Sequence, residues 1–197
     1  MAGNLKLEGK VLKKAENLLK RFCEFLDKHE IPYVLEGGTL LGVMREKRLL
    51  PWDNDMDITV TEEYGQKLLS LRKEIWKIGF RVRERYHNKD LGPFKDGDLR
   101  LFKISTRKFY FFKDLGLLDI FVKKKENDKY FWVVGINNPV LKSVDARYYE
   151  NFTTVDFQGS KLSIPKDYDD YLTCRYGDWR TPVKEWNFKK DDKAIVK

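Results

Sequence analysis

A long amphipathic helix is predicted over residues 5–29. Apolar residues recur in this segment at intervals of three and four positions, with Lys and Glu on the other face, and this spacing is typical of an amphipathic helix. Pro32 closes the helix, and the apolar run Tyr33-Val34-Leu35 after it indicates a buried strand. The chain therefore begins with a helix and then enters a sheet.

Short strand-like runs dominate the rest of the chain. Strands are predicted over residues 56–61, 80–86, 99–105, 117–122 and 130–134, with a turn-rich exposed loop over 88–98 and a hairpin formed by 153–157 and 161–164. No internal repeat or low-complexity linker interrupts these elements. We therefore predict a single α+β domain over residues 1–197, with mixed strands.

Two further helices are predicted beside these strands. The first covers residues 62–77 and is ended by Gly79. The second covers residues 167–176, with Pro165 at its first position and Gly177 at its end.

Composition narrows the class of protein. With 42% apolar and 36% charged residues, the chain is predicted to be globular. The net charge of +8 favours anionic partners, although solubility alone also explains it. Only Cys23 and Cys174 are present, so a disulfide framework and a structural zinc site are not expected. The chain shows no signal peptide and no run of about 20 apolar residues, which predicts a cytoplasmic protein.

Three carboxylates stand close together in the run Asp53-Asn54-Asp55-Met56-Asp57. Alternation along a strand points Asp55 and Asp57 to one side and Met56 and Ile58 into the core. Two adjacent carboxylates repel each other, and a divalent cation with a preference for oxygen ligands removes that repulsion. A magnesium site that also binds substrate phosphates is one interpretation. A solvated acidic turn is the other, and the short motif alone favours it.

Two other segments strengthen the first interpretation. Glu36-Gly37-Gly38-Thr39 lies between a predicted strand and a short helix through Arg45 that Thr39 can cap, and such a turn can bind phosphate. Asp119 lies inside the apolar run GLLDIFV, where a buried carboxylate needs a partner. That partner is a cation, a reacting hydroxyl, or one of the many Lys and Arg side chains.

These segments resemble a known family. The stretch EGGTLLGVMREKRLLPWDNDMDITV is similar to the motif of LicD-type phosphotransferases, which include the fukutin-like proteins. GLLDIF resembles the segment that carries the third acidic residue of that family, and IPKDYDDYLTCRYGDWRTPV resembles its C-terminal motif. The resemblance covers residues 31–61, 117–122 and 164–183. It implies a polymerase-beta-like nucleotidyltransferase fold, with a mixed central sheet and flanking helices.

The resemblance also implies an activity. Family members move a phospho-alcohol, such as phosphocholine or ribitol phosphate, from a CDP-activated donor to a sugar hydroxyl and release CMP. The acceptors are glycans, of which lipopolysaccharide and teichoic acid are examples. The implied cofactor is Mg²⁺, with Mn²⁺ as an alternative.

Individual positions are implied as well. Asp55, Asp57 and Asp119 are expected to be catalytic and to bind the metal, with Asp119 as ligand or base. The residues implied for donor binding are Gly37, Gly38, Thr39, Arg45, Trp52 and Asp53. For Trp52, core packing is an equal alternative. Asp178 and Trp179 also match the C-terminal motif, and Gly177 beside them favours a structural role.

Other functions stay open from the sequence. The same three acids would serve a nucleotidyltransferase that moves NMP from an NTP to a small molecule, a protein or RNA. A basic nucleic-acid-binding module is the non-enzymatic alternative, based on the net charge and on the tract Lys123-Lys124-Lys125. Such tracts are more often solvated loops, and no nucleic-acid-binding motif accompanies this one, so nucleic acid is not the expected partner. Peripheral association with the inner face of a membrane fits the basic charge.

Overall fold

The structure is a computed structural model that describes residues 6–109, 112–135, 137–183 and 186–196. Its elements follow the order α1 (Gly9–Lys28), β1 (Val34–Glu36), α2 (Gly37–Glu46), β2 (Met56–Thr61), α3 (Glu62–Ser70), α4 (Arg72–Lys77), β3 (Phe80–Tyr86), β4 (Leu99–Lys108), β5 (Phe112–Glu126), β6 (Lys129–Val134), β7 (Val140–Asp145), a 3₁₀ helix (Ala146–Tyr149), β8 (Phe152–Phe157), β9 (Ser160–Pro165) and α5 (Tyr168–Tyr176).

The main sheet is mixed, as predicted. Its strands lie in the order β1-β2-β5-β4-β3, and β6 pairs with the far end of β5 and with β7. Only the β2–β5 pair among these is parallel. Strands β8 and β9 form a separate hairpin. The predicted α+β architecture is therefore confirmed.

The register of the sheet brings four charged residues into one row. Glu36 on β1 pairs with Asp57 on β2, Asp57 pairs with Asp119 on β5, and Asp119 pairs with Lys103 on β4. Side chains of directly paired residues point to the same face of a sheet. One face therefore carries a row of charged side chains across four strands.

The opposite face supplies the core. Met56 and Ile58 on β2, like Leu118 and Ile120 on β5, are fully buried, and they belong to the same apolar cluster as the inner stripe of α1. The predicted first helix and the inward direction of Met56 and Ile58 are confirmed. In the part of the chain that is described, no helix is both long and apolar enough to cross a bilayer.

Some predicted element boundaries are wrong. The helix expected over residues 62–77 is two helices, α3 and α4, which meet at Leu71. Pro165 does not begin the last helix, because it ends β9, where it pairs with Phe152. Strand β7 was not predicted, since its sequence VLKSVD carries a Lys and a Ser inside a short apolar run.

The lysine tract is the largest correction. Lys123, Lys124 and Lys125 lie in strand β5, not in a solvated loop. Lys123 is 0% exposed, and Lys125 is exposed on the surface. A buried lysine needs an acidic partner, and the site described below supplies it.

Candidate active site

A cleft of about 840 Å³ opens on the charged face of the sheet. It gathers nearly all of the residues predicted for the site, namely Gly37, Gly38, Arg45, Trp52, Asp53, Asp55, Asp57 and Asp119. Thr39 is the exception, since it is buried behind the cleft wall, where its Oγ1 accepts a hydrogen bond of 2.8 Å from the backbone N–H of Asp57. Residues far apart in sequence are thus brought into one concave surface.

The start of helix α2 differs from the prediction. Helix α2 begins at Gly37, and Glu36 caps it, because the Glu36 carboxylate accepts a hydrogen bond of 3.1 Å from the backbone N–H of Gly37. Thr39 lies inside the first turn and is not the cap. The capping residue is therefore the acid that ends strand β1.

Glycine is required at positions 37 and 38 because two carboxylates approach the start of α2 closely. Gly37 has a φ of +55°, a left-handed conformation that favours glycine, and a Cβ there would lie 2.8 Å from Asp57 Oδ2. A Cβ on Gly38 would lie 2.2 Å from Asp53 Oδ2. The glycines let the carboxylates of Asp53 and Asp57 lie against the first turn of α2.

Asp53, Asp55 and Asp57 form an acidic group with strongly shifted pKa values. Burial, followed by the charges of Asp119 and Asp53, raises the pKa of Asp55 to about 7. Burial and then the neighbouring carboxylates, Asp55 first, raise the pKa of Asp57 well above its usual value. Burial also raises the pKa of Asp53. The salt bridges that described residues form around the cleft use Glu36, Glu46, Asp119 and Asp192 as their acids and leave this group without a cation.

An acidic group of this kind fits a divalent cation. Hard ions such as Mg²⁺ prefer carboxylate oxygens, and a bound cation would remove the repulsion that raises these pKa values. As the side chains stand, however, no point among the described residues is surrounded by three Asp, Glu, His or Cys ligands. Of the three predicted ligands, Asp55 and Asp57 are the stronger candidates, because Asp119 is paired with Lys103.

Asp119 already has a partner. The ammonium of Lys103 donates to both carboxylate oxygens of Asp119, at 2.8 and 2.6 Å. Burial raises the pKa of Asp119, and Lys103 opposes that rise. Of the alternatives for this residue, pairing with a lysine is the one observed. Lys103 was not predicted as a site residue because it alternates with the apolar residues Phe102 and Ile104, as a polar residue does in any half-exposed strand.

A second charged group, also missed from the sequence, lies at one wall of the cleft. We call it the buried ion cluster; it consists of Glu36, Lys123, Lys142, Arg175 and Asp192. All five residues are buried, and Glu36 is 2% exposed. A single charged residue at the end of an apolar run, as in YVLE and IFVK, is the only local signal for such a cluster.

Glu36 is the centre of this cluster. Its carboxylate accepts hydrogen bonds from Lys123 and Arg175, each at 2.6 Å, and from Tyr149 at 2.7 Å. The hydroxyl of Tyr171 also donates to it. Burial acts to raise the pKa of Glu36, but Lys123 and Arg175 hold it well below the usual value.

The other half of the cluster ties the C-terminal segment to the sheet. Asp192 accepts hydrogen bonds from Lys142 at 2.6 Å and from two guanidinium nitrogens of Arg175 at 2.6 and 2.9 Å. Lys123 also lies 3.6 Å from the ring centre of Trp132, which lines the cleft. The cluster therefore connects the start of α2, strand β5, helix α5 and the C-terminal segment.

Two tryptophans of the predicted motifs have different environments. Trp52 is 59% exposed at the cleft, so the alternative of core packing is wrong. Trp179 is buried, its indole donates to Asp169 at 3.2 Å, and its carbonyl accepts from Arg45 at 3.3 Å. The C-terminal motif therefore anchors the Arg45 side chain, while its neighbour Asp178 lines the cleft.

Comparison with known proteins agrees with the predicted family. The family model "LicD/FKTN/FKRP, nucleotidyltransferase domain" matches residues 30–167. This description agrees with the predicted fold. The match includes the motifs at residues 31–61 and 117–122, and most of the C-terminal motif lies beyond it.

Curated relatives are longer than this chain. An uncharacterized protein of Rickettsia typhi, RT0683, is 29% identical over 82% of this chain and 45% of its own length. Ribitol-5-phosphate transferase FKTN of Macaca fascicularis is 26% identical over 90% of this chain and 36% of its own length. Lipopolysaccharide cholinephosphotransferase LicD of Haemophilus influenzae is 34% identical over 28% of this chain and 21% of its own length. The chain thus spans less than half the length of each of these proteins.

Proposed function

This chain belongs to the LicD/FKTN/FKRP family of nucleotidyltransferase domains, and we propose that it transfers a phosphorylated alcohol from a CDP-activated donor to a sugar hydroxyl, releasing CMP. The observation that carries the proposal is the acidic group Asp53, Asp55 and Asp57, which lies against the start of α2 in the cleft and forms no salt bridge with the described residues. The names of two relatives suggest the cargo, which is ribitol phosphate or phosphocholine.

The donor phosphates are expected at the first turn of α2. The first amides of a helix have no partner within the helix, and the helix dipole favours negative charge there. Gly37 and Gly38 leave room for a phosphate to approach these amides. The hydroxyl of Thr39 would support the same site by fixing the backbone of Asp57.

Asp55 and Asp57 would hold the divalent cation, with Asp119 as a further candidate ligand. When bound, such an ion supplies positive charge that stabilises the phosphoryl oxygens and the leaving CMP. Asp53 would influence the same site through its charge, because it raises the pKa of both Asp55 and Asp57. Arg45 is held by Glu46 and Trp179, so it would shape the wall of the donor pocket.

The reaction is an in-line displacement at the phosphorus nearest the transferred alcohol. The sugar oxygen forms a bond to that phosphorus, the bond from phosphorus to the bridging oxygen breaks, and CMP leaves with the electron pair. A carboxylate at the cleft, with Asp119 as the first candidate, takes the proton of the sugar hydroxyl. Asp119 would need to exchange its bond with Lys103 for one with the acceptor.

The acceptor is proposed to be a sugar or glycan, and the exposed Trp52 at the cleft offers an apolar surface against which a sugar ring can pack. The net charge of +8 also supports loose association with an anionic membrane face on the cytoplasmic side.

A product analysis tests the proposal. The purified chain is incubated with Mg²⁺, a mixture of sugar acceptors and either CDP-choline or CDP-ribitol, and CMP release is measured by chromatography. Parallel incubations contain labelled CTP or ATP. We expect CMP to form from one CDP-alcohol and no label to be incorporated from either NTP. Incorporation of labelled nucleotide without CMP release would show nucleotidyl transfer instead.

A further inference from the structure

We propose that the cleft contains a second anion subsite, formed by Arg85 and Arg100, which binds a phosphate group carried by the acceptor. The assignment of this phosphate to the acceptor rests on the function proposed above. The subsite itself rests on the positions of these two residues and on a buried, unsatisfied donor of Arg100.

Arg85 and Arg100 lie on the neighbouring strands β3 and β4. Arg85 is near the end of β3 and pairs with Leu101, the residue after Arg100, beside an irregularity in the β3–β4 register. Both side chains line the cleft. The charges of both act to lower the pKa of Asp119, so both guanidinium groups lie near the same part of the cleft.

These two cations have unused hydrogen-bonding capacity. Within the described residues, neither Arg85 nor Arg100 forms a salt bridge, although Lys103 and Arg175 on the same cleft each do. Arg100 donates from Nη2 to the carbonyl of Gly135, but its Nε is buried and has no hydrogen-bond partner. A buried donor is costly to leave unsatisfied, and a phosphate oxygen would satisfy it with a charge-assisted bond.

The backbones of these two arginines lie on a different part of the sheet from the acidic group. The strand order is β2-β5-β4-β3, so Arg100 and Arg85 are two and three strands away from Asp57. At roughly 4.8 Å per strand, their backbones are roughly 10 and 14 Å from that of Asp57. The phosphorus atoms of a diphosphate share a single bridging oxygen and are much closer together. The function proposed above places the donor phosphates at Asp55 and Asp57, so we assign the second anion to the other substrate.

Asp119 on β5 lies between these two positions in the strand order, and its partner Lys103 is on β4, the strand of Arg100. A reacting hydroxyl held there would have the donor on the β2 side and the phosphate of its own sugar on the β3 side. A phosphorylated sugar is therefore the acceptor class that fits the cleft.

Binding measurements on the full chain test the subsite. Isothermal titration is carried out with inorganic phosphate, glucose 6-phosphate and glucose as probes, in the presence of CMP and Mg²⁺, and separately with CDP-choline. We expect glucose 6-phosphate to bind more tightly than glucose. Arg85→Gln and Arg100→Gln should each weaken its binding by at least about tenfold and change the affinity for CDP-choline by less than about twofold.

Arg83→Gln is the matched control, because Arg83 is an exposed arginine on the same strand outside the cleft lining. It should leave both affinities unchanged, and melting temperatures should show that all three variants fold. Loss of CDP-choline affinity in the Arg85 and Arg100 variants would place the donor there and overturn the proposal. An equal loss in Arg83→Gln, or no binding of phosphate or glucose 6-phosphate to the wild-type chain, would also overturn it. These measurements need no turnover, so a failed transferase assay would count against the proposed function alone.

Discussion

The acidic group and the buried ion cluster at the cleft wall occupy adjacent positions in the same sheet. Asp57 of the first group and Glu36 of the second are direct partners in the β1–β2 register. Yet their pKa values move in opposite directions, well above the usual value for Asp57 and well below it for Glu36. Both carboxylates lose water, but among the described residues only Glu36 gains cationic partners, which are Lys123 and Arg175.

We infer that this difference separates charge that maintains the fold from charge that is available to a ligand. A buried carboxylate surrounded by Lys, Arg and Tyr donors has its hydrogen-bonding partners within the protein. Carboxylates that repel one another are stabilised by a proton or by a bound cation. We therefore expect damage to the first group to reduce activity and damage to the second to reduce stability.

The largest expected effect is on turnover. Asp55→Asn and Asp57→Asn should each lower the rate of CMP release by about 10³-fold or more, since a catalytic cation contributes several kcal/mol to the transition state. Their melting temperatures should stay the same or rise, because each substitution removes a repelling charge. Calorimetric titration with Mg²⁺ should show weakened binding.

Asp156→Asn, at an exposed position on β8, is the control for these variants and should behave as the wild type. Near-normal turnover in either of the cleft variants would show that the metal assignment is wrong.

Breaking the buried ion cluster should have the next largest effect. Arg175→Met removes one partner of both Glu36 and Asp192 and should lower the free energy of unfolding by about 3–5 kcal/mol. Urea denaturation followed by circular dichroism measures this change.

Arg180→Met provides the comparison, because Arg180 is exposed and its salt bridge to Asp169 is expected to contribute less than about 1 kcal/mol. If both substitutions cost the same free energy, the buried cluster would not have the stabilising role described here.

The smallest effect on turnover is expected at the contact between helix α2 and the acidic group. Gly38→Ala adds a methyl group that would lie 2.2 Å from Asp53 Oδ2, so the carboxylate must move. We expect turnover to fall by about 10- to 100-fold, since small displacements at a reacting centre are costly. The free energy of unfolding should change by less than about 1 kcal/mol, because alanine is the better helix former.

Gly65→Ala introduces the same change in α3, where the added Cβ would meet side chains of Leu99 and Val122. It should leave turnover intact. A similar loss in both variants would mean that the close contact between Gly38 and Asp53 has no special importance.

The local sequence predicted most of the secondary structure and most of the cleft. Strand β2 was predicted with its observed bounds, and Gly37, Gly38, Asp53, Asp55, Asp57 and Asp119 line one cleft as the motifs suggested. These predictions succeeded because periodicity and motif spacing are properties of neighbouring residues. The cap of α2 was misassigned to Thr39 because the acid that ends β1 looked like part of the strand.

What the sequence determined by itself is therefore the family, the α+β pattern and the acidic group, all of which are encoded in short segments. The tertiary structure alone decided which charges are paired. Glu36 meets Lys123, Arg175 and Tyr149, which are 87, 139 and 113 residues away in the chain, and Asp119 meets Lys103 through strand register. Pairing of charges depends on distance in space and on exclusion of water, and neither can be read from local spacing. Only the folded chain shows that Glu36 and Asp119 have cationic partners, whereas Asp53, Asp55 and Asp57 form no salt bridge with the described residues.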